Sequence, residues 1–410
     1  MKNTAEFVTR HLNDDTTRLI LDRKKYEDID MDLAVNCIES RRKLKGKVQE
    51  WYDEPMLVFP AKLSAEQCSS SATGRYKAEL AENIANTRNW RIADLTGGLG
   101  VDSWYFSQKA GEVLYNEMQS LLCDAAAYNF GILKADNIRI TNHKVSPGSL
   151  NLILEGFSPD IVYMDPARRG EGGKKVFLIE DCTPDVLTIK DEIFAKTRHI
   201  LIKLSPMADI SMVCNRLGDS CREVHVVASA GECKELLIWM DREWRGGYSI
   251  KAVEIHNDGS ASEFTFLPSE EQLAAGNVSY YHHNTDGSMM LFEPGKALMK
   301  AGAFNLTAEK FGISKLGRST HYYMTDDTEK AAVLKNHGKV FRIIETAQLD
   351  KRNIKEFGRK YPKSEVTARN IPMDTDTLRK KTGVTSGDDA HIFGLKSDYE
   401  GNLLIAAKPF

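Results

Sequence analysis

The sequence lacks a regular cysteine pattern and any long apolar run. Its 410 residues include seven Cys and no CxxC pair, which argues against a disulfide framework and against a zinc knuckle. No run of about 18 apolar residues occurs, so we expect no membrane-spanning helix. Residues 1–15 hold no apolar stretch of signal-peptide length. We therefore expect a cytoplasmic protein with no membrane partner and no metal.

The chain also has little net charge, because 55 Lys and Arg are opposed by 58 Asp and Glu, for a formal charge of −3. The distribution is uneven. Residues 296–381 contain 19 basic and 10 acidic side chains, so this segment carries +9 and the remainder −12. A basic segment attached to an acidic one favours a polyanionic partner, although a solvated helical face would explain the charge equally well.

The order of apolar segments predicts an α/β protein. Residues 1–85 have mainly helical patterns, and from about residue 90 short apolar runs alternate with helical stretches. Such alternation predicts a parallel sheet with helices on both faces. The runs at 224–227 and 236–240 leave no room for a helix between them, which predicts an antiparallel edge hairpin. After about residue 250 the alternation stops, and we expect an α+β domain there.

The most informative segment, DLTGGLGVD at residues 94–102, follows a predicted strand and opens a predicted helix. Glycines in such a turn allow positive φ and a close approach of the backbone to a ligand. The position is the carboxyl end of a parallel strand, where open α/β sheets bind ligands. A dinucleotide fingerprint would need a third glycine where Ser103 stands. The carboxylate of Asp94 would repel a diphosphate and attract a sulfonium, which favours S-adenosylmethionine (SAM) over NAD.

These residues resemble motif I of the class I SAM-dependent methyltransferases, the DxGxGxG turn, with Thr96 in place of its first glycine. The resemblance implies that Glu117, at the end of the second strand, binds the ribose hydroxyls of SAM. Met118 would pack on the adenine, and Asn142 and His143 would contact the adenine edge. The implied cofactor-binding residues are Asp94, Thr96, Gly97, Gly98, Gly100, Glu117, Met118, Asn142 and His143. Residues 69–78 resemble the segment that often closes over SAM in this family.

The fourth predicted strand ends in DPARR at residues 165–169. This segment resembles motif IV of the family, both the (D/N)PP(Y/F) of amino-methyltransferases and the DPPR-type turn of several RNA methyltransferases, with Ala167 in place of the second proline of both. A carboxylate and a carbonyl held by a proline can orient a nucleophile in line with a methyl group. We therefore predict Asp165 and Pro166 as catalytic residues. Three cations are candidate substrate-binding residues: Arg168, Arg169 and Lys203.

Most of residues 60–410 resemble bacterial class I methyltransferases with a C-terminal THUMP-like domain, and EPGKA at residues 293–297 supports this. The resemblance implies structured RNA, either tRNA or rRNA, as substrate and leaves the oligomeric state open. The predicted domains are an N-terminal helical region (1–85), a Rossmann-like SAM-binding domain (86–250), a small α+β connecting domain (251–325) and a THUMP-like domain (326–410). Two alternatives remain: an RNA-binding protein with a vestigial SAM fold, and a nicotinamide oxidoreductase.

Overall fold

The computed structural model describes residues 1–168, 178–282 and 289–410. The chain folds into two compact units. The first unit comprises residues 1–225 and 234–248, and the second comprises residues 226–233 and 249–410. In the described ranges, no helix combines the length and the apolar character needed to cross a membrane.

The first unit begins with helices, as the pattern of residues 1–85 predicts. Polar side chains cap several of them, because Asp30 accepts a hydrogen bond from the backbone N–H of Leu33 and Ser70 accepts one from Thr73. The helices are α1 (Lys2–His11), α2 (Thr16–Leu21), α3 (Met31–Leu44), α4 (Gln49–Asp53), α5 (Lys62–Gln67) and α6 (Ser71–Ala85).

Strands and helices then alternate along the chain. The strands are β1 (Arg91–Asp94), β2 (Glu112–Asn116), β3 (Ile138–Thr141), β4 (Ile161–Met164), β5 (Ala167–Arg168), β6 (Cys182–Thr183), β7 (His199–Leu204), β8 (Cys221–Ser229) and β9 (Glu232–Asp241). The helices between them are α7 (Val101–Ser107), α8 (Ser120–Ile132), α9 (Leu150–Ile153), α10 (Val186–Phe194) and α11 (Ile210–Leu217).

The sheet of the first unit has the order β3-β2-β1-β4-β7-β9, with β8 beyond β9. β1 pairs in parallel with β2 and with β4, and β4 pairs in parallel with β7. β9 runs antiparallel to β7 and lies between β7 and β8 in the sheet, so antiparallel pairing follows the parallel strands, as predicted. All four residues of β4 are buried, as expected for a strand that is covered on both faces. The carboxyl ends of β1, β2, β4 and β7 therefore lie along one edge of the sheet.

The second unit contains a hairpin and a seven-stranded sheet. The hairpin pairs β10 (Ser249–Ile255) with β11 (Ala261–Phe266) and is followed by α12 (Pro268–Ala274). The sheet strands are β12 (Met290–Pro294), β13 (Ser314–Lys315), β14 (Tyr323–Thr325), β15 (Gly338–Gln348), β16 (Lys363–Arg369), β17 (Thr385–Ser397) and β18 (Gly401–Pro409), in the order β13-β14-β12-β15-β18-β17-β16. Its helices are α13 (Lys296–Ala301), α14 (Phe304–Phe311), α15 (Thr328–Leu334), α16 (Lys351–Lys360) and α17 (Thr375–Thr382).

Both faces of this second sheet are apolar. Along β18, Leu403 and Ile405 enter one buried cluster, whereas Leu404 and Ala406 enter another, because successive side chains of a strand point to opposite faces. The second cluster also contains Ile354 and Phe357 of α16 and Leu378 of α17. The two helices therefore cover one face of the sheet and leave their other sides exposed.

Candidate active site

The glycine-rich loop between β1 and α7 needs glycine at three positions. Gly98 and Gly100 have φ values of +55° and +89°, a region that favours glycine. A Cβ on Gly97 would lie 2.1 Å from the ring of Tyr115, and one on Gly100 would lie 2.6 Å from the ring of Phe130. The loop is therefore packed closely against β2 and α8.

Asp94 ends β1 and is buried. Its carboxylate accepts hydrogen bonds from the Ser103 hydroxyl (2.6 Å) and from the backbone N–H of Thr96 (3.1 Å). Burial raises the pKa of Asp94 to about 7, the carboxylates of Asp102 and Asp165 add to the increase, and the hydrogen bond from Ser103 opposes it. Ser103 occupies the place of the third glycine in a dinucleotide fingerprint, and its hydroxyl binds this carboxylate.

Glu117, directly after β2, contacts the glycine-rich loop. One carboxylate oxygen accepts a hydrogen bond from the backbone N–H of Gly98 (3.0 Å), and the other accepts one from Gln119 (2.9 Å). The Asn142 amide donates to the backbone carbonyl of Glu117 (2.6 Å). The structure thus brings the loop, Glu117 and Asn142 together, as the sequence predicts.

The remaining predicted adenine contacts lie close by. Met118 follows Glu117 and is 55% exposed, so its side chain is accessible to a ligand. The backbone of His143 is held by Asn116, whose amide group donates to the His143 carbonyl and accepts from the His143 N–H (3.0 and 3.1 Å). Asn116 therefore fixes the end of β3 against the end of β2.

Thr96, the departure from the motif, connects two strand ends. Its hydroxyl accepts a hydrogen bond of 2.6 Å from the backbone N–H of Asp165. The glycine found at this position in the motif could not make this bond, because it has no side chain. The substitution therefore ties the loop after β1 to the residue after β4.

Asp165 forms an ion pair with Lys203 of β7, with 2.5 Å between the carboxylate oxygen and Nζ. Lys203 is 11% exposed and Asp165 is 38% exposed. Burial alone would lower the pKa of Lys203, but the carboxylates of Asp165, Glu235 and Asp102 outweigh it, and the pKa is raised. Lys203 is therefore a permanent cation beside Asp165.

The other motif IV residues lie next to this pair along the chain. Pro166 is buried, and the backbone of Arg168 forms β5, which pairs with β6. Arg169 lies outside the described residues.

Sequence reasoning missed a group of charged and polar side chains behind Asp165, which we call the buried charge cluster: Lys77, Asp102, Tyr163, Glu235 and Ser69. Lys77 is fully buried, and its Nζ lies 2.8 and 2.9 Å from the two carboxylate oxygens of Glu235 and 3.3 Å from Asp102. Tyr163 and Ser69 donate to Asp102 at 2.8 and 2.9 Å. A signal existed in the sequence, because Lys77 occupies an apolar position of the α6 periodicity, between Thr73 and Leu80.

These residues fit SAM. A Cβ on Gly98 would meet nothing nearer than the Thr96 carbonyl at 4.0 Å, so the loop has open space on the side of Gly98. The two oxygens of the Glu117 carboxylate can accept hydrogen bonds from two hydroxyls. The carboxylate of Asp94 favours a cationic ligand over a diphosphate.

Comparison with known proteins supports this view of the fold. Residues 290–331 match a ferredoxin-like domain model, and residues 338–409 match a THUMP domain-like model. Among curated proteins, none matches the chain. A crystal structure of a candidate methyltransferase from Porphyromonas gingivalis W83 is 27% identical, with a TM-score of 0.84 over 100% of this chain and 98% of that one. The chain has a methyltransferase fold with a C-terminal THUMP-like domain.

Two other solved structures are more distant. An rRNA methylase from Streptococcus thermophilus is 10% identical, with a TM-score of 0.30 over 40% of this chain and 93% of that one. TrmK from M. capricolum, in complex with S-adenosylhomocysteine, is 13% identical, with a TM-score of 0.30 over 42% of this chain and 69% of that one. Likeness at this level carries no argument about this chain. The predicted resemblance and fold class are confirmed, whereas the roles of the individual site residues stay predictions.

Proposed function

We propose that this protein is a SAM-dependent methyltransferase that methylates a nucleotide of structured RNA, either tRNA or rRNA. The observation that carries the proposal is the meeting of three acidic side chains at one edge of a parallel sheet. Asp94 is the last residue of β1, Glu117 and Asp165 directly follow the adjacent strands β2 and β4, and direct hydrogen bonds link the segments that bear them. Open α/β sheets bind their ligands at such an edge.

In this proposal the cofactor lies along the ends of β1, β2 and β3. The two oxygens of Glu117 accept hydrogen bonds from the ribose hydroxyls, and Met118, Asn142 and His143 surround the adenine. Asp94 offsets the positive charge of the methionine part. SAM supplies an activated methyl group on a sulfonium, and the residues of this chain hold that group near Asp165.

The acceptor atom lies at the end of β4. The carboxylate of Asp165 and the carbonyl of Pro166 are both hydrogen-bond acceptors, so together they orient a group that bears a proton. Catalysis is then mainly positioning, because a nucleophile held in line at about 3 Å needs little further assistance.

RNA as the substrate is supported by the second unit. Its THUMP-like segment includes α16, on which Lys351, Arg352, Lys355 and Arg359 are exposed. The spacing places Arg352, Lys355 and Arg359 on the side of α16 opposite the buried Ile354 and Phe357, with Lys351 on the flank and one acidic residue, Glu356, among them. A cationic stripe of this kind suits a chain of phosphates.

The cofactor assignment is tested by calorimetric titration with SAM. We expect the unchanged protein to bind SAM, and we expect Glu117→Ala to lose at least about tenfold in affinity, because two hydrogen bonds to a charged group are removed. Glu112→Ala is the matched control, since Glu112 begins the same strand β2 at the opposite edge of the sheet.

Two results would contradict the proposal. Equal SAM affinity in Glu117→Ala and Glu112→Ala would remove Glu117 from the site. RNA binding by a protein with no affinity for SAM would favour the alternative of a vestigial fold, and saturable binding of NADH in its place would favour an oxidoreductase.

A further inference from the structure

The ion pair at the acceptor site leaves two hydrogen-bonding groups free to meet a substrate. One oxygen of Asp165 binds Lys203, and the other has no hydrogen-bond partner among the described residues. Lys203 likewise bonds only to Asp165 in the described part of the chain, although an ammonium carries three N–H donors. The site therefore offers one free anionic acceptor directly beside a cationic donor.

The buried charge cluster keeps this donor charged. Lys203 lies in the field of Glu235 and Asp102 as well as beside Asp165. Glu235 and Asp102 are in turn partly compensated by Lys77, which is fully buried between them. The carboxylates of Asp165, Glu235 and Asp102 outnumber the two lysines, Lys77 and Lys203. No excess positive charge among these five groups therefore drives Lys203 to release its proton.

We propose that the methylated atom is the 2′-hydroxyl oxygen of a ribose in RNA, with Asp165 and Lys203 as its catalytic residues. This inference rests on the proposed function. A hydroxyl is both a donor and an acceptor, so its proton meets the free oxygen of Asp165 while a lone pair accepts from Lys203. The 2′-hydroxyl is the free hydroxyl of an internal RNA nucleotide.

An exocyclic amino group of a base fits the pair less well. Its two N–H donors could meet Asp165 and the carbonyl of Pro166, but its delocalised nitrogen lone pair is a poor acceptor for the N–H groups of Lys203. Methylation also places positive charge on the nitrogen before its proton leaves, and the ammonium of Lys203 opposes that charge. For a hydroxyl the proton leaves toward Asp165 as the bond forms, and Lys203 stabilises the electron-rich oxygen.

The hydroxyl oxygen uses a lone pair to form the bond to the methyl carbon, and the bond from that carbon to sulfur breaks with its electron pair on sulfur. The hydroxyl proton passes to the free oxygen of Asp165 and then to water. Lys203 keeps its protons throughout, and the products are a 2′-O-methyl ribose, S-adenosylhomocysteine and one proton.

Alkaline hydrolysis of the product distinguishes the target atoms. The full-length protein is incubated with methyl-labelled SAM and total RNA from cells that lack the gene, and the RNA is then hydrolysed in alkali. A 2′-O-methyl group blocks cleavage at its own nucleotide, so we expect the label in alkali-stable dinucleotides. Label in mononucleotides would place the methyl group on a base, which overturns this inference and leaves the proposed function standing. No label from a protein that binds SAM in calorimetry would overturn both.

Variants of Lys203 test its part directly. We expect Lys203→Met to lower methyl transfer about 100-fold, a typical cost of removing one donor to a developing negative charge, while the Kd for SAM changes by less than about threefold. Lys203→Arg keeps the charge and should recover part of the rate. Equal transfer by the Met variant and the unchanged protein would overturn the role of Lys203. If Lys203→Met does not fold, Lys203→Arg provides the test. A rate of methyl transfer in Lys203→Arg as low as that of Asp165→Asn would overturn the role of Lys203.

Discussion

Among the described residues, each unit has one lysine that is almost wholly buried, Lys77 in the first and Lys315 in the second, and the two lysines have different surroundings. Lys77 in the first unit is fully buried and lies within 3.3 Å of two carboxylates, those of Glu235 and Asp102. Lys315 in the second unit is 1% exposed, and its Nζ donates to two neutral oxygens, the side-chain oxygen of Asn305 (2.9 Å) and the carbonyl of Arg318 (3.3 Å). Burial lowers the pKa of Lys315.

The difference indicates what each lysine does. A lysine whose ammonium donates to neutral oxygens satisfies those acceptors, and its removal leaves them without a donor. A lysine enclosed by carboxylates belongs to a charged assembly, in which removal of one member leaves the others uncompensated. The charged assembly lies behind Asp165, whereas Lys315 belongs to the packing of β13 in the second unit.

Loss of Lys77 should reduce folding stability more than any other change considered for the two units. We expect Lys77→Met to lower the free energy of unfolding by about 3–5 kcal/mol, because Glu235 and Asp102 would remain buried without their nearest cation. Lys315→Met should cost only about 1–3 kcal/mol, the range for buried acceptors left without a donor. Denaturant unfolding followed by circular dichroism measures both changes.

A second substitution tests whether the uncompensated carboxylates cause the larger loss of stability in Lys77→Met. Glu235→Gln added to Lys77→Met should restore part of the lost stability, because it removes one of the uncompensated charges. Equal losses in the two single lysine variants would show that the carboxylates around Lys77 do not distinguish it from Lys315.

The next effect concerns the exposed cations of the two units. Replacing Lys351, Lys355 and Arg359 of α16 with Ala should weaken binding of bulk tRNA about 10- to 100-fold and reduce its dependence on salt, because contacts to phosphates release counterions. The same change of charge in the first unit, at the exposed Arg23, Lys24 and Lys25, should have little effect. Filter binding at several salt concentrations checks this, and equal losses in the two triple variants would contradict a specific role for α16.

The smallest effect is a pH dependence that only the first unit should show. Because the pKa of Asp94 is raised to about 7, chiefly by burial, this carboxyl is largely protonated at pH 6 and ionised at pH 8. The ionised form favours cationic SAM, so affinity should rise about tenfold over this range. In the second unit, burial lowers the pKa of His391 to about 4, so this imidazole stays neutral between pH 6 and 8.

Calorimetry at pH 6, 7 and 8 measures the dependence. Asp94→Asn should remove the pH dependence of SAM affinity. The affinity for S-adenosylhomocysteine, whose sulfur is uncharged, should depend less on pH. A dependence that persists in Asp94→Asn would assign it to another group.

Much of the candidate site followed from local sequence. A short apolar run before DLTGGLG predicted β1 and its turn, and the acidic residues at the ends of β2 and β4 were identified in the same way. Local patterns suffice here because a glycine-rich turn and a strand end are each defined by a few consecutive residues. The division of the chain into four predicted domains stays a prediction.

Other parts of the site could not be predicted from local sequence. Lys203 was predicted as a substrate-binding residue, but nothing in the sequence indicated its bond to Asp165. Residues 69–78 were expected to form a segment that closes over the cofactor. In the structure Ser69 and Lys77, near the two ends of that segment, are buried in the charge cluster.

Local sequence predicts the class of fold and the positions of Asp94, Glu117 and Asp165 at strand ends, because the spacing of apolar residues and the position of glycines act within one turn or one strand. Which charges meet depends on the folded chain. Lys77 and Glu235 are 158 residues apart, and their contact depends on how α6 packs against the sheet and where β9 pairs. The free energy of a buried charge depends on its neighbours in space, and those neighbours are set by the fold.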